Sequence, residues 1–112
     1  MPRLREFTSL TFQEAVSSTA APLLVHFGTD WCAPCKKLER LLLELAPEWG
    51  DSVALGKVNV EDEPDLARTY SVTRNPSLCL FRSGVLVARH EGLTGKPELL
   101  ELVHQPETPL AG

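Results

Sequence analysis

Two cysteines three positions apart, Cys32 and Cys35, stand where an apolar run gives way to an amphipathic helical pattern. That junction limits what the chain can fold into more than any other feature. Pro22-Leu23-Leu24-Val25-His26-Phe27 reads as a buried strand with apolar residues on both faces. From Cys35 to Trp49 the pattern is helical: Leu38, Leu41, Leu42 and Leu45 fall at i, i+3, i+4 and i+7, one stripe facing a core. This order puts Cys32 at the mouth of a helix N-terminus and Cys35 inside the first turn. Unpaired N–H groups and the helix dipole favour an anion there. The Cys32 thiolate is therefore expected to form below the pKa of about 8.5 of a free cysteine. A stabilised thiolate beside a second thiol within bonding reach is the minimum apparatus for thiol–disulfide exchange.

The rest of the chain supplies strands and helices in alternation. Thr11 followed by Glu14 is a capping-box pattern opening a helix over roughly 11–18. Val53–Val60 reads as a second buried strand, and Asp62–Tyr70 as a short helix with Pro64 in its first turn. Ser77–Phe81 and Val85–His90 read as strands joined by a hairpin turn at Ser83-Gly84. Lys96–His104 closes the pattern as a helix burying Leu99, Leu102 and Val103. Pro47 is expected to kink or end the long helix, with Gly50 as its cap. The expected class is α/β, a central mixed sheet flanked by helices on both faces. One domain over 1–104 is expected, followed by a flexible tail over 105–112 that holds two prolines and little to bury.

Composition excludes several function classes. A chain of 112 residues suits one domain with one adequate core. The net charge of -4 argues against a nucleic-acid or anionic-membrane partner. Three cysteines, two of them in the C-x-x-C, are not a secreted disulfide framework. The basic start Met1-Pro2-Arg3-Leu4-Arg5 is not followed by the apolar stretch of an export signal, and no run approaches a membrane span, so a cytoplasmic address is expected. Structural zinc takes four ligands, and one C-x-x-C with scattered His26, Cys79 and His90 supplies no second pair. Cys79, between Leu78 and Leu80, reads as a core thiol, and Trp49 as a core aromatic. Asp30 and Glu61-Asp62-Glu63 read as solvated charges.

In its motifs the chain resembles the thioredoxin family. Phe27-Gly28-Thr29-Asp30-Trp31-Cys32-Ala33-Pro34-Cys35-Lys36 is similar to the family's active-site segment, and Lys57-Val58-Asn59-Val60-Glu61 to its central strand. Asn75-Pro76-Ser77 falls where the family carries a cis-proline, and Ser83-Gly84 and Gly92 sit at familiar places. The resemblance runs from about Arg5 to about His104 and implies the thioredoxin fold. It implies Cys32 as the attacking thiolate, Cys35 as the buried resolving thiol, and a cis Pro76 packed against the disulfide. Trp31, Asn75, Pro76 and Gly92 would form the surface that docks an extended substrate segment by strand pairing. Pro34, between the cysteines, would help tune the potential. The implied activity is reduction of protein disulfides through a mixed disulfide, by a monomer with no bound cofactor. A flavoprotein reductase using NADPH would restore the dithiol.

Departures from the family's pattern are also visible. His26 stands where the family often buries an aspartate that accepts the proton of the resolving cysteine. Gly28 replaces a tryptophan, Ala33 a glycine, Arg40 a helix proline, and Asn75 an isoleucine or threonine. Either His26 takes over as proton acceptor, or it is a core histidine idle in turnover. Burial, and an inward Lys57 on the neighbouring strand, would both hold it neutral. Two further readings of the whole chain stand beside the reductase. A redox-gated binding module or co-chaperone would use the same groove, with Gly28 and Asn75 altering its surface. An oxidant or isomerase of an exported compartment conflicts with the lack of a signal-like segment.

Overall fold

Alternation along the first buried strand sets the layering. The computed structural model describes residues 4–106. In β2 (Leu23–Gly28), Leu24, His26 and Gly28 share one face, while Leu23, Val25 and Phe27 share the other. Every residue of β2 is buried, because the strand is central in the sheet and both its faces are covered. The sheet has five strands in the order β1-β3-β2-β4-β5, with β1 spanning Arg5–Glu6, β3 Ala54–Asn59, β4 Ser77–Arg82 and β5 Val85–Glu91. β1 and β2 lie parallel to β3, whereas β4 runs antiparallel to both β2 and β5. Four helices cover it: α1 (Phe12–Ser18), α2 (Ala33–Trp49), α3 (Pro64–Thr69) and α4 (Lys96–Leu102).

Each face has its own core. On one, Leu38, Leu42 and Leu45 of α2 and Leu99 of α4 pack with Leu24, Leu78 and Leu80 of the sheet. Burial of each such leucine contributes about 1.5–3 kcal/mol. On the other, Phe12 and Val16 of α1 and Leu66 and Tyr70 at α3 pack with Val25, Phe27, Cys79 and Phe81. Phe12 meets Phe81 edge to face with ring centroids 5.5 Å apart.

Several local expectations are corrected. The short edge strand β1 is absent from the sequence reading, because two exposed residues show no periodicity; pairing of Arg5 with Gly56 and Glu6 with Lys57 makes it a strand. Thr11 does not cap α1 with its side chain. Its backbone is helical rather than extended, and its Oγ1 accepts the Thr8 N–H at 3.0 Å instead. Pro47 does not end α2, which continues to Trp49 and stops at Gly50 with φ 54°. Proline in the final turn removes only its own N–H from the ladder. Leu41 and Leu102 are only partly buried. Of the expected tail, residues 107–112 lie outside the described residues. Gln105 is tied down: its carbonyl accepts Arg82 Nε at 2.6 Å, and Arg82 Nη2 donates to the Val103 carbonyl at 2.6 Å.

Candidate active site

The strand-to-helix junction places both sulfurs. Cys32 is the N-cap of α2, in extended conformation at φ -86° and ψ 113°. Its Sγ accepts the Cys35 N–H at 3.2 Å, which satisfies one of the helix's otherwise unpaired donors. Pro34 occupies the first turn, where a missing N–H costs nothing. Cys32 and Cys35 are joined as a disulfide, with Cα atoms 5.2 Å apart. Both are buried, Cys35 at 1% exposure more deeply than Cys32 at 7%. Trp31, immediately before the dithiol, is 70% exposed.

Beneath the dithiol, three elements converge. Parity along β2 points His26 and Gly28 toward α2. A Cβ built on Gly28 would stand 2.8 Å from Cys35 Sγ and 2.9 Å from His26 Nε2. The imidazole thus reaches along the strand into space that any side chain at position 28 would need. The parallel register sets His26 beside Lys57 of β3. Lys57 Nζ donates to Glu39 Oε1 of α2 at 3.2 Å, both side chains about one-third exposed. Glu39 lies one helical turn beyond Cys35, on the same face. His26, Gly28, Glu39 and Lys57 line one recess, together with Glu6, Thr29 and Asp30. Its ≈ 20 Å³ has room for about one water molecule.

His26 is buried, and neither ring nitrogen has a protein partner among the described residues. Burial holds the imidazole well below its ordinary value, at about 4, with Glu39 opposing and Lys57 reinforcing that shift. The ring is therefore neutral near pH 7. Lys57 was legible from the sequence as a neighbour. Glu39 was not singled out, although its i+4 spacing from Cys35 was a readable signal.

The hairpin side of the sheet supplies the rim. Phe27 pairs with Ser77, which sets Pro76 at the sheet end occupied by Gly28 and the start of α2. The Asn75–Pro76 peptide bond is cis. Pro76 is buried and Asn75 exposed. Gly92, at φ 89°, donates its N–H to the Pro76 carbonyl at 2.7 Å. Among the described residues nothing but the neighbouring backbone lies within 4 Å of where a Gly92 Cβ would stand, so the backbone there is open to a close approach. Asn75 makes no backbone hydrogen bond among the described residues. The structure does not bring His90 or His104 into this cluster: His90 sits on β5 opposite Leu78, and His104 lies beside Arg82 and Gln105. Cys79 is wholly buried in the opposite core, where burial pushes its thiol up to about 12. Among the described residues no three His, Cys, Asp or Glu side chains form a metal-holding group.

A mixed sheet carrying a helix-capping C-x-x-C beside a cis-proline defines a class, the disulfide-exchanging oxidoreductases built on this scaffold. Comparison with known proteins narrows it. The family profile described as Thioredoxin matches residues 3–105. A thioredoxin from Buchnera aphidicola is 35% identical over 105 residues, covering 94% of this chain and 97% of that one. A bifunctional thioredoxin reductase/thioredoxin from Mycobacterium leprae is 37% identical over 95 residues, covering 85% of this chain and 21% of the relative. The solved structure of a thioredoxin variant from Halobacterium salinarum matches with a TM-score of 0.81 at 30% identity, covering 90% of this chain and 88% of that one. The chain belongs to the thioredoxin family, and it is a thiol–disulfide oxidoreductase that reduces protein disulfides.

Proposed function

We propose that Cys32 is the nucleophile, Cys35 the resolving thiol and His26 the proton acceptor for Cys35. The observation that carries this reading is the arrangement around Gly28, where the place of a Cβ on that residue lies 2.8 Å from Cys35 Sγ and 2.9 Å from His26 Nε2, so that both atoms border the same small space. In the reduced protein, Cys32 thiolate attacks one sulfur of a substrate disulfide. A Cys32–substrate bond forms, and the other substrate sulfur leaves as a thiolate that takes a proton from solvent. Cys35 then passes its proton to neutral His26 and attacks Cys32 Sγ. The Cys32–Cys35 bond forms, and the second substrate sulfur leaves reduced. Two electrons have moved from the protein dithiol to the substrate. The deeper burial of Cys35 suits the second role, since it is reached only from within the protein.

Trp31, Asn75, Pro76 and Gly92 form the substrate-docking rim in this proposal. The exposed indole offers apolar area, and the unpaired backbone of Asn75 offers strand-type hydrogen bonds to an extended peptide. Pro34 and Lys57 act in support, Pro34 by fixing the first turn and Lys57 through its charge beside His26. The oxidised protein needs an electron donor. An NADPH-linked flavoprotein reductase is the proposed partner, supported by the Mycobacterium leprae relative whose name joins a thioredoxin reductase to a thioredoxin. The reading is completed by action as a monomer carrying electrons in the cytoplasm, a compartment that keeps thiols reduced.

Dithiobis-nitrobenzoate separates the two chemical steps, because attack and resolution each release one coloured thiolate. His26→Ala is expected to slow the second release far more than the first, by the ~10²–10⁴-fold typical of a lost general base. Cys35→Ser should abolish the second release. Equal slowing of both phases in His26→Ala, or of neither, removes His26 from the mechanism.

A further inference from the structure

We propose that Glu39 is a positioning residue for the resolution step, holding its carboxylate across the recess from His26 so that the imidazolium formed by the Cys35 proton has a counter-charge. This deepens, and rests on, the reading of His26 as the proton acceptor. The Glu39 carboxylate pairs with Lys57 and not with a sulfur. It acts through the imidazole, and it does so from the helix that carries Cys35.

The geometry comes from three independent placements. Helical spacing puts Glu39 one turn from Cys35 on the face that looks at the sheet. Parallel pairing of His26 with Lys57 puts a cation beside the imidazole. The Lys57–Glu39 ion pair at 3.2 Å then fixes the carboxylate over the same recess that His26 lines. The charged groups facing that recess are Glu6 from β1, Asp30 from the loop before α2, Glu39 from α2 and Lys57 from β3, with Cys35 beyond Gly28. Of the three carboxylates, only that of Glu39 is held there by an ion pair among the described residues, with Lys57 as its partner.

A buried imidazole without hydrogen-bond partners is a poor proton acceptor, because the charged form has lost its hydration. Glu39 counters that loss, whereas Lys57 adds to it. While His26 is neutral, the carboxylate is engaged by Lys57. When the Cys35 proton arrives, the carboxylate faces two cations and stabilises both. The recess has room for about one water, sufficient to bridge imidazole and carboxylate and pass the proton outward. The one-third exposure of Glu39 connects that path to solvent.

The experiment uses the whole reduced protein and dithiobis-nitrobenzoate, with the two releases followed in one stopped-flow trace. Glu39→Gln is expected to slow the second release several-fold, as a weaker base does under Brønsted behaviour, and to leave the first unchanged. Glu39→Asp, which keeps the charge, should restore most of the loss. In imidazole NMR titrations of the oxidised protein, Glu39→Gln should move the His26 transition to lower pH and Lys57→Gln to higher pH. In a His26→Gln background, Glu39→Gln should add nothing. The proposal for Glu39 is overturned, with His26 intact, if His26→Gln slows the second release and Glu39→Gln does not. It is equally overturned if Glu39→Gln slows both releases alike, or slows resolution in the His26→Gln background. If His26→Gln itself leaves the second release unchanged, the base reading falls and this inference falls with it.

Discussion

Gly28 is the residue on which the active site's local design turns. A methyl group there would sit 2.8 Å from Cys35 Sγ, closer than packed atoms tolerate. Gly28→Ala is therefore expected to cost about 1–3 kcal/mol by overpacking. On the proposed mechanism it should also slow resolution, because the crowding is relieved by pushing either the imidazole or Cys35 Sγ aside. Urea melts and the two-phase thiolate release check both parts; unaltered stability and kinetics would mean the site has slack that the geometry denies. Set against the pattern of the family it resembles, the sequence has glycine in place of a tryptophan and histidine in place of an aspartate, two departures that read as separate. In the structure they are one change, since the longer side chain at position 26 occupies the room released at position 28. Glu39 was less legible still. Its helical phase relative to Cys35 could be read, yet its meeting with Lys57 depends on the sheet register.

At the scale of elements, the sequence located every helix and four of the five strands, because each carries either a buried stripe or a continuous apolar run. It missed β1, whose identity is conferred by its partner strand. It placed the start of α1 correctly but not its capping, because Thr11 turns its hydroxyl to Thr8 instead of to the helix. The end of α4 shows the same dependence on distant residues. Arg82, at the close of β4, donates to the carbonyl of Val103, the C-cap that the helix itself leaves open, and to that of Gln105 just beyond it. Arg82→Ala should destabilise the protein by ~1.5–3 kcal/mol, the range for hydrogen bonds to a charged group. Amide exchange should quicken in the last turn of α4 before it changes in the central strands. Uniform acceleration across the sheet would instead tie Arg82 to global stability alone.

For the whole molecule, the buried imidazole makes stability depend on pH. His26 has an ordinary value of 6.5 and is held at about 4 in the fold. As pH falls, the unfolded chain binds this proton first, so stability present above about 6.5 is lost on the way down to about 4. The loss attributable to His26 is on the order of 3 kcal/mol. Carboxylates that titrate at the acid end are shared with a His26→Gln variant. The difference between the two proteins' denaturant stabilities across this window should therefore isolate the imidazole. Parallel curves would show that His26 is solvated or paired in solution.

By itself the amino-acid sequence determined the layered α/β frame, the position of the C-x-x-C at a helix start, and with these the chemistry of disulfide exchange. Those follow from periodicity and from the neighbours of each residue along the chain. Tertiary structure alone decided what lies under the dithiol: an imidazole passing through the gap left by Gly28, and a carboxylate fixed by a lysine on another strand. Such contacts depend on strand register and on the phase of a helix against a sheet. Both are set by packing over the whole domain, and neither is written in any local stretch of the chain.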